Sequence, residues 1–431
     1  MSASFPVTKA GLHGIIAVAV VLTGVVSVCQ SVHATDGYFA HGYGVQSEGM
    51  GGAAIAYPKD SLALATNPAA AIDLGDRLDV GIELFRPDRG ASITGNAFGV
   101  NQSYDGNGLE SFPIPQFGYV RHLTDDVSAG IAIYGNGGMN THYGTNPYGR
   151  FGARGDAGVN LEQLFISPTI AYRFAPGHSI GISLNIADQL FKAYGIGALS
   201  AFSTNSAAFS DRGTGQALAW GARIGYLGHI TPALTAGAFW QSKTYSDQFS
   251  RYAGLFADAG AFDVPSTYGV GLSYAATDSL DLAFDVQRIE YSGVNSVGKP
   301  LSQLFYGNGF GSNAGPGFGW RDVTVFKLGV NYRINPAWQV RAGWNYTTQA
   351  VPSDQTFLNI LAPGVVRHNL TAGATWTLPE GIEISGYTLY APETTIHGHG
   401  SIPAAFGGGE ASVHLSEFSV GVAVGWRFGG L

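Results

Sequence analysis

The feature that most constrains this chain is a two-residue periodicity that recurs along most of its length. It is clearest near the C-terminus, where apolar or aromatic residues alternate with small or charged ones from Glu417 to Phe428. The segments 338–347 and 180–187 alternate in the same way. Successive side chains of a β-strand point to opposite faces of a sheet, so this pattern predicts strands with one apolar face. A soluble β-sandwich would also alternate, and two further features decide between the classes.

The first feature is the spacing of the predicted strands, which come in pairs joined by tight turns. The turns carry Pro, Gly or Asp, as in the sequence APGH at 175–178. Successive pairs are separated by much longer, polar, glycine-rich segments such as 138–161 and 292–320. Counting outward from the turns gives fourteen approximate strands, at 77–90, 114–122, 127–137, 162–174, 179–191, 216–228, 233–245, 264–275, 279–291, 321–334, 337–348, 366–378, 381–391 and 413–428.

The second feature is composition, because only 12% of the residues are charged, about half the ~25% typical of soluble domains. An even number of strands, tight turns at one end, long loops at the other and aromatic residues near strand ends are typical of a transmembrane β-barrel. The sequence therefore predicts an all-β fold, a 14-stranded antiparallel transmembrane β-barrel formed by residues 77–431. The alternative class is a secreted β-sandwich or solenoid.

The first 34 residues are expected to be a secretory signal peptide. Lys9 precedes an apolar run over 14–28, and a small-residue cleavage pattern follows at 32–34. The run is shorter than the roughly 20 residues that a membrane-spanning helix needs. The only cysteine, Cys29, falls within the signal, so we expect a mature chain without disulfides. Together with the barrel, the signal predicts a location in a bacterial outer membrane.

Residues 35–76 precede the first predicted strand and have the composition of a small helical plug. Asp60 is placed to cap one helical turn, and Asn67 to cap a second that begins with Pro68 and Ala69. Short apolar helices neither face lipid nor stand alone in water. We therefore expect this segment to pack inside the barrel lumen.

The same segment resembles the N-terminal hatch of the FadL-type outer-membrane family, which transports long-chain fatty acids and other hydrophobic compounds. The resemblance rests on GMGGAAIA at 49–56, Asp-Ser at 60–61 and Asn-Pro-Ala-Ala at 67–70. It implies a fourteen-stranded barrel and passive uptake of hydrophobic molecules, which are fatty acids in some members and aromatic hydrocarbons in others. It also implies a hatch that gates the lumen, with Asn67, Pro68 and Ala69 as its motif.

The family resemblance further implies a sideways exit through an inward kink of the third strand. In this chain the third predicted strand runs into a glycine-rich stretch that would interrupt pairing. These residues are the candidate lateral opening: Gly135, Asn136, Gly137 and Gly138. The alternative interpretation is that the glycines only begin a loop.

Strand parity places a set of polar and ionisable residues on the lumenal face: Arg223, Asp281, Asp285, Lys327, Asn331, Arg333, Arg341, Glu383, Glu417 and Arg427. Charged side chains are tolerated in a wet barrel interior, whereas on the lipid face they cost about 2–4 kcal/mol near the midplane. We expect most of them to form ion pairs with one another and with the plug. A sharper hypothesis is that Lys327 or Arg341 contacts the carboxylate of a ligand.

Other function classes find little support in the sequence. The chain has 30 acidic and 22 basic residues, which argues against a nucleic-acid partner. It has no nucleophile-elbow or nucleotide-binding motif, so we expect neither an enzyme nor a bound cofactor. His397 and His399 lack a third ligand in sequence, and no metal site is expected.

We therefore predict a monomeric outer-membrane channel. Its expected partners are a hydrophobic small molecule, either a fatty acid or an aromatic hydrocarbon, and the surrounding outer-membrane lipid and lipopolysaccharide. The alternative is a general porin or a surface adhesin whose plug is only structural.

Overall fold

The computed structural model describes residues 36–428, which form a closed antiparallel β-barrel. Its long strands follow one another in chain order, and the last pairs with the first from Arg77↔Arg427 to Thr94↔Glu410. The strands are β1 Arg77–Thr94, β2 Phe112–Thr124, β3 Val127–Tyr143, β4 Ala157–Ala175, β5 His178–Tyr194, β6 Gly215–His229, β7 Leu234–Gln241, β8 Thr267–Ala275, β9 Leu280–Ile289, β10 Val323–Asn335, β11 Trp338–Thr347, β12 His368–Thr377, β13 Ile382–Ile396 and β14 Glu410–Arg427. The predicted fourteen-stranded barrel is confirmed, whereas the predicted signal peptide, residues 1–34, lies outside the described residues.

Two short strand segments, Ser103–Asp105 and Tyr245–Ser246, pair with β1 and β6 but do not extend over the height of the barrel. Within residues 36–428 the helices are all short. Four are α-helical turns: Val45–Glu48, Ala257–Gly260, Asn295–Gly298 and Thr356–Asn359. The 3-10 turns are Ser61–Ala65, Pro68–Ile72, Gly149–Phe151, Gly197–Phe202, Ser206–Ala208, Ser250–Tyr252, Tyr291–Gly293, Leu301–Tyr306, Ser353–Gln355, Pro379–Gly381 and Ala404–Phe406. Between residues 36 and 428, no helix is long and apolar enough to cross a membrane.

The alternation in sequence corresponds to the two faces of the wall. In β14, Val422 and Val424 point outward and are 60% and 52% exposed, while Glu417 and Ser419 point inward and are buried. Apolar residues therefore cover the outer surface. Polar and small residues line the lumen, as lipid on one side and a filled interior on the other require.

Some strands are longer than the sequence predicted. The third strand, expected to end at residue 137, continues to Tyr143, and the fourth begins at Ala157 instead of 162. Every residue of β3 from Ala132 to Thr141 is buried, so both faces of the strand are covered there. The two-residue alternation disappears when both faces are buried, which is why the sequence did not show these extensions.

Candidate functional site

Residues 36–76, which we call the hatch, occupy the lumen, and nearly all of them up to Ile72 are buried. Two side-chain caps shape this segment. The carboxylate of Asp60 accepts a hydrogen bond from the Leu62 N–H at 3.1 Å, and the Asn67 side chain accepts one from the Ala69 N–H at 3.1 Å. Each cap begins a 3-10 turn, because its oxygen satisfies an N–H that the turn leaves unpaired.

Asn67 also ties the hatch to the barrel wall. Its side-chain amide donates to the carbonyl oxygens of Ile55, at 2.8 Å, and of Tyr226 in β6, at 2.9 Å. Pro68 and Asn67 lie against the wall where Gly181 and Gly225 have no side chain, and a Cβ at either glycine would overlap them. The hatch therefore fits closely against wall glycines at this point.

Glycines on the lumenal face form similar contacts around the rest of the barrel. A Cβ would overlap the hatch at Gly118 beside Ser61, at Gly237 beside Ile55, and at Gly343 beside Met50. Substituting any of them would force the hatch or the wall to move. The abundance of glycine in the strands is thus partly explained by the close approach of the hatch backbone.

At the end of the barrel that carries the tight turns, charged side chains of the wall contact the hatch. Arg77 donates to Asp79 at 2.6 Å, to Glu383 at 3.1 Å and to the carbonyl of Lys59 at 2.7 Å. Asp79 in turn accepts a hydrogen bond from the Ser61 N–H at 2.8 Å. Charged groups buried in this way need such partners, because a single unpaired charge would be costly in the interior.

Burial changes the pKa of several hatch residues, and Asp60 and Lys59 are two of them. Burial, followed by the charge of Asp79, raises the pKa of Asp60 to about 7. Burial lowers the pKa of Lys59 to about 8. Both shifts disfavour the charged form in the docked hatch, so its stability depends on pH.

The two cations considered as ligand contacts both bind the hatch. Lys327 Nζ donates to the carbonyl oxygen of His41 at 2.8 Å. Arg341 donates to Gln46 Oε1 at 2.9 Å and to Thr375 Oγ1 at 2.8 Å. Eight residues of the lumenal set are buried: Arg223, Asp281, Asp285, Lys327, Asn331, Arg341, Glu383 and Glu417. Arg333 and Arg427 are about half exposed.

The glycine-rich stretch of β3 contains a bulge. Pairing with β4 passes from Gly135↔Leu164 directly to Gly137↔Gln163, which leaves Asn136 as the extra residue. The Asn136 side chain accepts a hydrogen bond from the Tyr43 hydroxyl at 2.8 Å. The strand therefore continues through these residues with a local distortion, and the hatch contacts the distorted position.

At the bulge, β3 pairs with the start of the hatch. The Gly138 N–H donates to the carbonyl of Tyr38 at 3.0 Å, and the Ala40 N–H donates to the carbonyl of Asn136 at 2.9 Å. Gly137 permits this approach, because a Cβ there would overlap the carbonyl oxygen of Tyr38. The hatch thus supplies backbone partners that a neighbouring strand would normally provide.

That neighbouring strand is β2, which separates from β3 at this height. The two strands pair from Thr124↔Val127 only as far as Phe117↔Ile133. The next part of β2, 112–116, still pairs with β1 but has no β3 partner in the described chain. We call this gap, bounded by 112–116 and 134–138, the β2–β3 window.

The upper edge of the window is closed by the segment that precedes β2. The His142 N–H donates to the carbonyl of Gly106 at 2.9 Å, and the Gly108 N–H donates to the carbonyl of His142 at 3.1 Å. Buried Arg89 crosses the same edge, donating to the carbonyls of Leu109 at 2.5 Å and Asn140 at 2.7 Å. The window therefore has defined upper and lower boundaries.

Two prolines in the window were not predicted as part of an opening, although their positions in the sequence indicate one. Pro113 and Pro115 alternate in β2 within the sequence FPIPQ. Proline has no N–H and is confined to strand edges or bulges, so a pair of prolines in a predicted strand indicates a broken ladder. This signal would have located the gap on β2 as well as on β3.

An apolar pocket lies beneath the long loops, on the opposite side of the hatch from the tight turns. Its wall includes Phe191, Leu199, Phe256, Phe318 and Leu361, and its residual volume is about 30 Å³. Closer to the window, a smaller cavity of about 20 Å³ touches Phe85, Arg89, Met139 and Trp320. Both spaces hold about one water molecule, so the lumen in this conformation is filled.

The fold and this site define a class of protein: a closed, plugged barrel with an apolar outer surface, of the kind found in outer membranes. The family described as outer membrane protein transport protein (OMPP1/FadL/TodX) matches residues 31–395, and the chain belongs to this family. Membership places it among transport proteins and not among enzymes. No curated protein matches the chain in sequence.

Several solved structures share the fold. The Pseudomonas putida toluene transporter TodX has a TM-score of 0.67 and 16% identity, covering 91% of this chain and 100% of its own. The Ralstonia pickettii toluene transporter TbuX has a TM-score of 0.63 and 20% identity, covering 90% and 99%. A Pseudomonas aeruginosa FadL homologue has a TM-score of 0.65 and 16% identity, covering 91% and 100%. At such low identities these likenesses establish the fold alone.

Proposed function

We propose that this protein is an outer-membrane channel for passive uptake of hydrophobic molecules, gated by the hatch, with the β2–β3 window as a lateral exit. The observation that carries the proposal is the loss of β2–β3 pairing beyond Phe117↔Ile133, where the hatch binds β3 instead. In a barrel, every strand edge must be satisfied. A gap filled by a separable segment can therefore open when that segment moves.

Aromatic and aliphatic residues lie between the extracellular loops and the window. Beneath the loop pocket, Tyr38 and Phe39 of the hatch pack with Tyr291 and Trp320, with ring centroids 5.1–6.0 Å apart. Phe85 and Phe112 then line the lumenal side near the window. Such surfaces bind apolar molecules and offer little to ions.

This lining and the family support an apolar ligand. Structures with the same fold include proteins described as toluene transporters and a FadL homologue. We propose long-chain fatty acids or related apolar compounds, including aromatic hydrocarbons, as the ligands of this chain. Lys327 and Arg341 would reach a ligand carboxylate only after His41 and Gln46 move, so binding of an acid would be coupled to hatch movement.

The remaining organisation is proposed on the same basis. Residues 1–34 are a signal peptide, 35–76 the hatch and 77–431 the barrel, which resides in the bacterial outer membrane among lipid and lipopolysaccharide. Because β14 pairs with β1 over its full length, one chain closes the sheet, which supports a monomer.

The alternative is a general porin or an adhesin whose plug is only structural. A porin needs a lumen continuously open to ions, whereas the hatch here is buried and hydrogen-bonded to several strands. Planar-bilayer recordings distinguish the two functions. We expect the intact protein to show no large, steady ohmic conductance, and such a conductance would favour the porin.

Deleting Asn136 tests the window itself. The deletion removes the extra residue of the bulge, so β3 would straighten, and its edge would be available to β2. We expect uptake of an alkylbenzene or a fatty acid by a deletion strain carrying this variant to fall to background, while the barrel remains folded by heat-modifiable gel mobility. Deleting Gly144, in the loop after β3, is the control and should leave uptake intact. Normal uptake by the Asn136 deletion would refute lateral exit.

A further inference from the structure

We propose that a row of buried side-chain amides couples the loop pocket, the apolar pocket beneath the long loops, to the β2–β3 window, with Gln163 and Gln189 as its positioning residues. The row begins at the hatch and the bulge of β3, and it ends at a strained turn, 256–262, in the wall of the loop pocket. The inference rests on the proposed function and adds to it a means by which a ligand in the pocket acts on the window.

The row crosses three neighbouring strands at the height of the bulge. The Tyr43 hydroxyl donates to Asn136 Oδ1 at 2.8 Å, and Asn136 Nδ2 donates to Gln163 Oε1 at 3.2 Å. Gln163 Nε2 donates to Gln189 Oε1 at 2.8 Å. Gln189 Nε2 then donates to the carbonyl oxygen of Phe262 at 3.1 Å. All four donors point in the same direction along the row, so each amide polarises the next.

The register of the sheet brings these amides together on the lumenal face. Gln163 in β4 pairs with Gly137, the residue after the bulge, and with Gln189 in β5. The next position across the sheet is Ala217 in β6, whose side chain has no polar group to continue the row. The carbonyl of Phe262 accepts the hydrogen bond instead. The three amides are fully buried, so breaking the row leaves polar groups unpaired in the interior.

At its far end the row meets the wall of the loop pocket. Phe256 lines this pocket, and its ring packs against that of Phe262 with centroids 4.8 Å apart. Ser296, which also lines the pocket, donates its hydroxyl to the carbonyl of Ala261 at 2.6 Å. The next carbonyl along the chain is the one that Gln189 binds. The segment 256–262 therefore belongs both to the pocket wall and to the row.

The same segment contains a strained turn. Asp258 and Ala259 are consecutive residues with φ of 54° and 58°. A left-handed backbone is costly for residues that carry a Cβ, and it persists only where surrounding contacts impose it. The hydrogen bond from Gln189 and the packing of Phe256 are contacts of this kind. A less strained arrangement becomes available to the turn when they are lost.

A ligand in the loop pocket favours that second arrangement. The pocket has a residual volume of about 30 Å³, room for about one water molecule, so an alkylbenzene or an acyl chain enters only if part of the wall moves. Movement of the turn carries the Phe262 carbonyl away from Gln189. The row then holds Asn136 less firmly, and with it the bulge and its contact to Tyr43 of the hatch. Because the ligand binds only the displaced arrangement, its binding shifts the population toward a released window.

Hydrogen exchange of the intact purified protein in detergent micelles tests the coupling, with n-butylbenzene as the probe. In the unaltered protein, the probe should accelerate exchange of the amides in 256–262 and also in 134–141, at least about fivefold, the effect of one lost buried hydrogen bond. Gln189→Met removes the link with little change in side-chain volume. In this variant, exchange of 134–141 should already be accelerated without the probe, and the probe should still act on 256–262 but add little at the window.

Gln287→Met is the matched control. Gln287 Nε2 donates across the sheet from β9 to Thr267 Oγ1 in β8 at 3.0 Å, away from the row, so this variant should respond to the probe as the unaltered protein does. Gln163→Met interrupts the row at a second place and should behave as Gln189→Met does. Heat-modifiable mobility confirms that each variant is folded.

Two results would overturn the coupling: an unaltered protein in which the probe leaves 134–141 unchanged, or a response of 134–141 in both row variants equal to that of the control. Uptake by the Asn136 deletion tests lateral exit separately. Loss of uptake in that deletion, together with a full window response in the row variants, would leave the proposed function in place and refute only the role of the amides.

Discussion

Asn67 is the residue on which the docked hatch most depends. Its amide oxygen caps the turn at Pro68, and its amide nitrogen donates to two carbonyls, one in the hatch and one in β6. Loss of such a cap costs about 1 kcal/mol. Each buried carbonyl left without a donor costs about 1–3 kcal/mol more.

We predict that Asn67→Ala loosens the hatch without unfolding the barrel. Hydrogen exchange of the amides in 55–72 should accelerate at least about tenfold, because 1.4 kcal/mol corresponds to a factor of ten. Exchange in β10 to β12 should not change. Asn205→Ala, at an exposed loop position that makes no side-chain cap, is the control. Unchanged exchange in the hatch would show that Asn67 is only packed there.

Asp60 gives docking of the hatch a pH dependence. Its pKa in the docked hatch, about 7, lies above the ordinary value of 3.8, so protonation favours docking. The stabilisation is complete below about pH 4 and is lost as the pH rises to 7. We predict that hatch exchange, corrected for intrinsic rates, slows as the pH falls from 8 to 5.

Asp60→Asn provides the comparison, because asparagine keeps the cap and removes the titration. This variant should show a weaker pH dependence between 5 and 8 than the unaltered protein. An equal dependence in both proteins would assign it to another group.

At the residue scale, the sequence predicted local interactions but not contacts between residues far apart in the chain. The cap residues Asp60 and Asn67 could be identified because a cap bonds an N–H two or three positions away. The lumenal face of Lys327 followed from strand parity. Its partner, the carbonyl of His41, lies 286 positions away and depends on how the hatch is seated. No local pattern encodes that contact.

At the scale of elements, β3 is the strand that departs most from a regular wall. The glycine stretch predicted an interruption, and the structure shows a bulge at Asn136 with pairing to β4 on both sides of it. The ladder that is interrupted is the one between β3 and β2, and Pro113 and Pro115 lie in the unpaired part of β2. The glycines of a strand indicate that its pairing is distorted. Which neighbouring strand no longer pairs with it depends on the sequences of both neighbours. For this reason the sequence of β3 alone did not exclude the alternative that its glycines only begin a loop.

We predict that Gly137→Ala displaces the start of the hatch from β3. The added Cβ would overlap the Tyr38 carbonyl, so the hydrogen bond from the Gly138 N–H to that carbonyl should break. Exchange of the amides of 38–40 should rise at least about tenfold if 1.4 kcal/mol of docking energy is lost.

Gly144→Ala is the matched control, because nothing lies within 4 Å of a Cβ at that position. The control should exchange as the unaltered protein does. Equal protection of the 38–40 amides from exchange in the two variants would mean that docking of the hatch does not depend on Gly137.

At the scale of the whole molecule, the barrel forms the wall and the hatch fills its lumen. The barrel could be predicted almost completely, because a two-residue period recurs in the fourteen strands and short connections alternate with long ones between them. The filling of the lumen follows from contacts of the hatch with strands throughout the chain. The barrel wall alone is closed between β1 and β14, so it should persist when the hatch is absent.

We predict that deletion of 36–66 leaves a folded barrel with an open lumen. Planar-bilayer conductance should change from near zero to steady ohmic steps, because the buried hatch no longer blocks ions. A barrel that stays non-conducting after this deletion would show that the loops, and not the hatch, close the channel.

The path of the ligand is the most direct test of the central claim. An alkylbenzene carrying a photoreactive diazirine can be bound to the protein in outer membranes, irradiated, and located by peptide mass spectrometry. We predict labels in the loop pocket and on both sides of the window, at 112–116 and 134–138, and loss of the window labels when Asn136 is deleted. Labels that bypass the window and continue to the periplasmic end, beside Asp73 and His229, would contradict lateral exit.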